Sequence, residues 1–150
     1  MLRTISCGVA ALGFLAVSIL PLGAQNALVG EGEKAGHKVT IRDLKRDDGG
    51  TVTLRFRMFN ENEKAETVYN LLGGYLDEKV HLIDAANKKK YLVVKDSSGK
   101  CECTAIKGNV AKDSPVNLWA KFPAPPESVQ KITVVVSGFE PVESVPITAR

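Results

Sequence analysis

The chain is short of the side chains that most often do chemistry. In 150 residues it has two histidines, three cysteines, two methionines and one tryptophan. His37 and His81 have no motif spacing to each other or to the cysteines, so no recognisable zinc-ligand pattern is present. No G-x-S-x-G occurs, and neither histidine falls in a recognisable arrangement with a serine and a carboxylate, which leaves nucleophilic hydrolysis without a sequence signal. A phosphate-cradling glycine loop, a calcium-loop pattern and the basic-aromatic interleaving of single-strand binders are missing as well. One-signed charge is also scarce: the formal net charge is +3, too slight a basic balance to imply a nucleic-acid partner. The one short cluster, Lys88, Lys89 and Lys90, falls where a turn is expected and reads as a solvated hairpin tip, with a phosphate or anionic-lipid contact as the alternative. No cofactor is implied, and an enzyme is not expected. An active site dispersed along the chain is the alternative that local motifs would not reveal.

Long apolar runs are confined to the start. Arg3 is followed by an uncharged, mostly apolar stretch over 5–20 and by Pro21, Leu22, Gly23 and Ala24, which is the layout of a secretory signal peptide cut after Ala24. An uncleaved anchor is the rival, but the run is shorter than the roughly 20 apolar residues of a usual spanning helix. Cys7 begins the run rather than following it, so it does not mark a lipidation site. Loss of residues 1–24 removes one basic residue and no acid, and takes the net charge to +2. The expected division is therefore 1–24 signal peptide, 25–37 flexible tether and 38–150 folded domain. The tether is inferred from Gly30, Gly32 and Gly36 and from its low apolar content.

What the rest has in abundance is two-residue alternation. Val52, Leu54, Phe56 and Met58 share one face of a strand over 51–60, with Thr51, Thr53, Arg55 and Arg57 on the other; a one-residue slip would bury two arginines. Val39 and Ile41 alternate with Thr40 and Arg42, and Asp47, Asp48, Gly49 and Gly50 supply a turn between these strands. Leu118, Ala120 and Phe122 alternate with Asn117, Trp119 and Lys121; Ile132, Val134 and Val136 follow the same rhythm. Pro123, Pro125 and Pro126 separate these last two strands and make the crossing stiff. A hairpin is expected over 80–84 and 89–95, with Val80, Leu82, Leu92 and Val94 inward. Residues 65–72 are ambiguous and read as strand, 104–113 reads as a long loop, and 138–147 reads as an edge segment because of Pro141 and Pro146. Short strands punctuated by turn residues, with no long amphipathic helix, predict an all-β antiparallel sandwich.

Three features carry candidate sites. Cys101 and Cys103 follow a Ser-Ser-Gly turn that can bring their Cα atoms within bridging distance, and export would place them where disulfides persist. A structural disulfide is the preferred reading. A metal site, including a Cu(I) site shared with Met58, and a redox or reactive thiol pair are its rivals, the latter opposed by Glu102 between the two sulfurs. Trp119 is turned outward by its core-facing neighbours, which makes it either a ring covered by a neighbouring segment or a binding patch. Arg55 and Arg57 are outward too, as a solvated face or an anion site. Trp119, Arg55 and Arg57 together are the candidate binding surface.

The signal-like segment, the glycine-bearing tether, YLVVKDSSGKCEC and LWAKFPAPPESVQKITVVVSGFEPVESVPI resemble the exported, telokin-like immunoglobulin-fold domains of bacteria, most of unassigned function. Similar tails occur ahead of OmpA-like peptidoglycan-binding domains of envelope proteins. The likeness covers roughly 38–147, and the FPAPP turn is its most specific part. It implies an immunoglobulin-like β-sandwich, secretion or residence in the cell envelope, and a non-enzymatic binding or accessory role toward an unknown protein or envelope component, with no membrane span left after signal cleavage. A thiol-dependent metal or redox protein using Cys101 and Cys103 is the alternative function.

Overall fold

A computed structural model describes residues 28–149; the expected signal peptide and the first residues of the expected tether lie outside them. The strands are β1 (Val29–Glu31), β2 (His37–Asp47), β3 (Thr51–Asn60), β4 (Glu66–Thr67), β5 (Val80–Asp84), β6 (Lys89–Leu92), β7 (Asn109–Val110), β8 (Val116–Pro123), β9 (Lys131–Val136) and β10 (Val142–Pro146), with two short helices, α1 (Val68–Leu72) and α2 (Leu76–Lys79), between β4 and β5. Two four-stranded antiparallel sheets form, ordered β1-β2-β3-β8 and β10-β9-β5-β6, while β4 and β7 pair separately. Side chains from both large sheets join one core cluster, so the all-β, sandwich-like expectation holds.

β3 lies inside the first sheet, paired with β2 on one edge and β8 on the other, and its alternation gives it one buried face. Val52, Leu54, Phe56 and Met58 are fully buried, while Arg55 and Arg57 point away from the core. Each buried side chain contributes on the order of 1.5–3 kcal/mol before entropy is subtracted. Asp47 pairs with Thr51 across a three-residue turn in which Gly49 and Gly50 both take positive φ, at 85° and 77°. Open space surrounds both glycines, so backbone conformation rather than crowding requires them.

The FPAPP stretch joins the two layers. β8 belongs to the first sheet and β9 to the second, so the strands on either side of the prolines never pair with each other. Prolines cannot donate, and their carbonyls need partners. Arg46 of β2 supplies them: its guanidinium donates to the carbonyls of Pro125 at 2.7 Å, Pro126 at 3.0 Å and Val129 at 3.2 Å.

Four expectations need correction. The tether is structured where it is described: β1 pairs with β2, and Glu33 N–H donates to Gly138 O at 2.9 Å, tying the segment to the β9–β10 turn. Glycine serves close approach there, since a Cβ on Gly30 would meet Glu140 O at 2.4 Å. Residues 65–72 hold only a two-residue strand before α1, which starts at a Thr67 cap and ends at Gly73 with φ 70°. The loop over 104–113 contains β7, paired to β4. The inward residues after the hairpin tip are Tyr91 and Val93, not Leu92 and Val94; Leu92 is 59% exposed. Pairing of Asp84 with Lys89 sets Leu82 opposite Tyr91, and residues directly opposite share a face. Asp84 holds that tip, accepting from Asn87 N–H at 3.1 Å and Nδ2 at 2.6 Å.

Candidate functional site

The outer face of the first sheet is assembled row by row from the register. Asp43 pairs with Arg55 and Arg55 with Trp119; in the next row Arg57 pairs with Asn117. Trp119 and Arg55 are therefore direct cross-strand neighbours, and Arg57 lies beside them one step along the strands. The sequence-derived surface is brought together on one face.

A β-bulge adds to it. Between Ile41 and Asp43 the β2–β3 register shifts by one residue, so Arg42 is extra in the ladder. Ile41 and Leu44 are both buried, and the bulge lets them be so although they are an odd number of positions apart. Arg42 and Asp43 are then both available to the outer face. Asp43 forms an ion pair with Arg55 at 3.1 Å, whereas Arg42 is exposed and has no hydrogen bond or ion pair with the described residues. Arg57 Nε donates to Asn117 Oδ1 at 2.8 Å. Arg42, Arg55, Asn117 and Trp119 border a shallow cleft of about 160 Å³, to whose lining Phe56 and Leu118 also contribute.

Trp119 is 37% exposed, so its ring is neither fully covered nor free on all sides. Its backbone is locked by the segment that follows the 89–95 strand. Trp119 N–H donates to Thr104 Oγ1 at 2.8 Å, and Thr104 N–H donates back to Trp119 O at 2.9 Å. Val94 N–H donates to Lys121 O and Lys121 N–H to Glu102 O, both at 2.9 Å, so this segment continues the sheet beyond β8. An exposed aromatic beside three arginines is thus mounted on a rigid ladder rather than on a loop.

Cys101 and Cys103 are joined in a disulfide, with Cα atoms 5.3 Å apart. The preceding turn is organised by Asp96, whose Oδ1 accepts from Ser98 N–H at 2.8 Å, Ser98 Oγ at 2.6 Å and Lys100 N–H at 3.0 Å. These bonds, the Ser98 hydroxyl foremost, hold the carboxyl below its usual range. The disulfide closes this hairpin against the edge of β8, where Cys103 bridges Ala120. Beside it lies a cleft of about 250 Å³ lined by Tyr75, Leu76, Asp77 and Ile106. Among the described residues no group of three or more His, Cys, Asp and Glu side chains is placed to hold a metal ion.

The two histidines lie apart from both places. His37, assigned by sequence to the tether, is buried at the start of β2 with Nδ1 3.4 Å from Lys34 O and Nε2 without a protein partner. It lines a cavity of about 230 Å³ between α1 and the β9–β10 turn. His81 is half-buried in the second sheet, and burial, followed by the charge of Lys90, lowers its pKa. Sequence reading missed Arg42 and the His37 cavity. The parity break between Ile41 and Leu44 was a visible signal for the first; the second depends on segments far apart in the chain. Comparison with known proteins returns no matching family model, no matching curated protein and no matching solved structure.

Proposed function

We propose that the chain is an exported, non-enzymatic, immunoglobulin-like binding module of the telokin-like kind, serving the cell envelope or extracellular space through the outer face of its first sheet. The observation that carries this reading is the row Arg42, Arg55 and Trp119, where uncovered aromatic surface and cationic groups share one cleft on a rigid strand scaffold. An aromatic-arginine combination is the composition of interface hot spots. The sandwich-like layering supports the fold assignment, and the signal-peptide layout together with the disulfide supports export. Fold by itself names no partner.

The test is capture from solubilised native envelope and from culture medium by the immobilised protein, compared with a Trp119→Ala/Arg55→Ala/Arg57→Ala variant. Retention of a saturable component by the wild type, reduced at least tenfold in a variant with unchanged circular dichroism, is the expected outcome. Equal retention by both would remove the face from consideration. A thiol-dependent role rests on a different observation, the half-buried disulfide beside the Tyr75 cleft. Intact mass before and after reduction separates the readings: the binding module shows a two-proton deficit that disappears on reduction, and the thiol-dependent metal protein retains metal in native mass spectra.

A further inference from the structure

The geometry points to a ligand class for this face: we infer that it holds an acidic polysaccharide, with one sugar ring laid against Trp119 and the carboxylate of that ring held by Arg42 and Arg55. The inference rests on the binding role proposed for the same surface. Three observations select the chemistry. The cleft of about 160 Å³ has room for a single six-membered ring, not for a folded peptide segment. Its aromatic wall is an indole, whose flat apolar and electron-rich face suits the C–H-lined face of a pyranose. Its cationic wall comes from the same cleft, so the anionic group has to sit on the stacked ring itself and not on a linker between rings. Uronate residues meet that condition.

Arg42 has the larger part. Arg55 is already engaged by Asp43, whereas the bulge presents Arg42 with its fork of donors unused by the described residues. A guanidinium matches a carboxylate with two parallel hydrogen bonds, a geometry a lysine does not reproduce. Lys121 lies in the adjoining row, paired across the ladder with Thr53, and Lys45 pairs with Thr53 from the other side, so a chain of uronates running along the strands would meet further positive charge.

The protein reports on this site directly, because Trp119 is its sole tryptophan. Titration of the purified protein with oligogalacturonate should produce a saturable change in tryptophan emission, and neutral oligogalactose of equal length should produce none. Arg42→Ala should weaken the apparent affinity by about tenfold or more, the scale of a lost charge-assisted hydrogen-bonded pair, and Arg42→Lys should restore only part of it. Calorimetry with Trp119→Ala, which removes the optical probe, should show a loss of similar size. The inference is overturned by an absent or unsaturable response to oligogalacturonate, by equal binding of the neutral oligomer, or by an unaltered affinity in Arg42→Ala. Equal binding of polyglutamate, of a phosphate-linked glycan or of anionic phospholipid vesicles overturns it too, since charge alone would then suffice. Failure here combined with loss of envelope capture in the triple variant leaves the binding face standing with a different ligand; failure of both removes the face as well.

Discussion

Single residues carry more of this fold than their sequence context announces. Arg46 sits between Lys45 and Asp47 in a charged stretch of β2, and it satisfies three carbonyls of the proline-rich crossover. Hydrogen bonds from charged donors contribute about 1.5–3 kcal/mol each where both partners are well buried, and this group is only half-buried. Arg46→Ala should therefore cost about 2 kcal/mol in urea unfolding, with Arg46→Lys recovering a minor part because one ammonium cannot reach three acceptors. His81 makes a prediction in pH. Its folded pKa lies below the ordinary value, so between these two values the unfolded chain binds the extra proton and stability falls as pH is lowered through that window. His81→Gln should flatten the midpoint-versus-pH curve below about pH 6.5, and an unchanged slope would show that His81 titrates alike in the folded and unfolded chain. Among the site residues, the outward disposition of Arg55, Arg57 and Trp119 was legible because their neighbours Leu54, Phe56, Leu118 and Ala120 claim the core. Arg42 was legible only in part, since alternation from Val39 turns it outward and the odd spacing of Ile41 and Leu44 signals a bulge, but neither says that the bulge lies opposite Arg55 and sets Arg42 in the cleft with Trp119.

At the scale of elements, turns and crossings decide which alternations become faces. The 89–95 strand shows this most plainly: YLVV is apolar at every position, so periodicity could not choose its inward set, and the four-residue tip closed by Asp84 and Asn87 chose Tyr91 and Val93. Residues 65–72 were ambiguous for a similar reason, and the left-handed cap at Gly73 and the Thr67 cap settled five of them as helix. Two glycines separate backbone need from packing need. Gly49 and Gly138 have nearly equal φ, 85° and 83°, but a Cβ at Gly49 meets nothing, whereas one at Gly138 would lie 2.5 Å from Leu71 O. Gly49→Ala should cost about 1–2 kcal/mol, the left-handed penalty alone, and Gly138→Ala distinctly more; equal losses in chemical denaturation would show that the β9–β10 turn does not press on α1. The disulfide is a local clip. Closing so short a loop removes little entropy from the unfolded chain, so its reduction should lower stability by only about 1–2 kcal/mol by the chain-entropy model and leave the sheet signature of the circular dichroism spectrum in place.

For the molecule as a whole, the contrast is between patterns readable within one strand and contacts made by residues far apart in the chain. Gly30→Ala tests the latter: a side chain there would collide with Glu140 O, so β1 should detach from the β9–β10 turn, and amides of β1 should lose hydrogen-exchange protection while those of β3 keep theirs. Unchanged protection of β1 in the variant would show that the close approach to Glu140 O is not what holds the strand, and β1 amides unprotected already in the wild type would return 28–37 to the passive tether that its glycine content suggests. By itself the sequence determined that the domain is built of strands, which side of β3, β8 and β9 is buried, and that Trp119 faces away from the core, because in an extended chain consecutive side chains must point to opposite faces and apolar ones gain by leaving water. Only the tertiary structure decided that β8 and β9 part company into different sheets, that the glycine-rich start is a strand, that Arg46 serves the prolines and that Arg42 joins Arg55 and Trp119 in one cleft. Those depend on pairing register and on distances across space, which alternation along one strand does not encode.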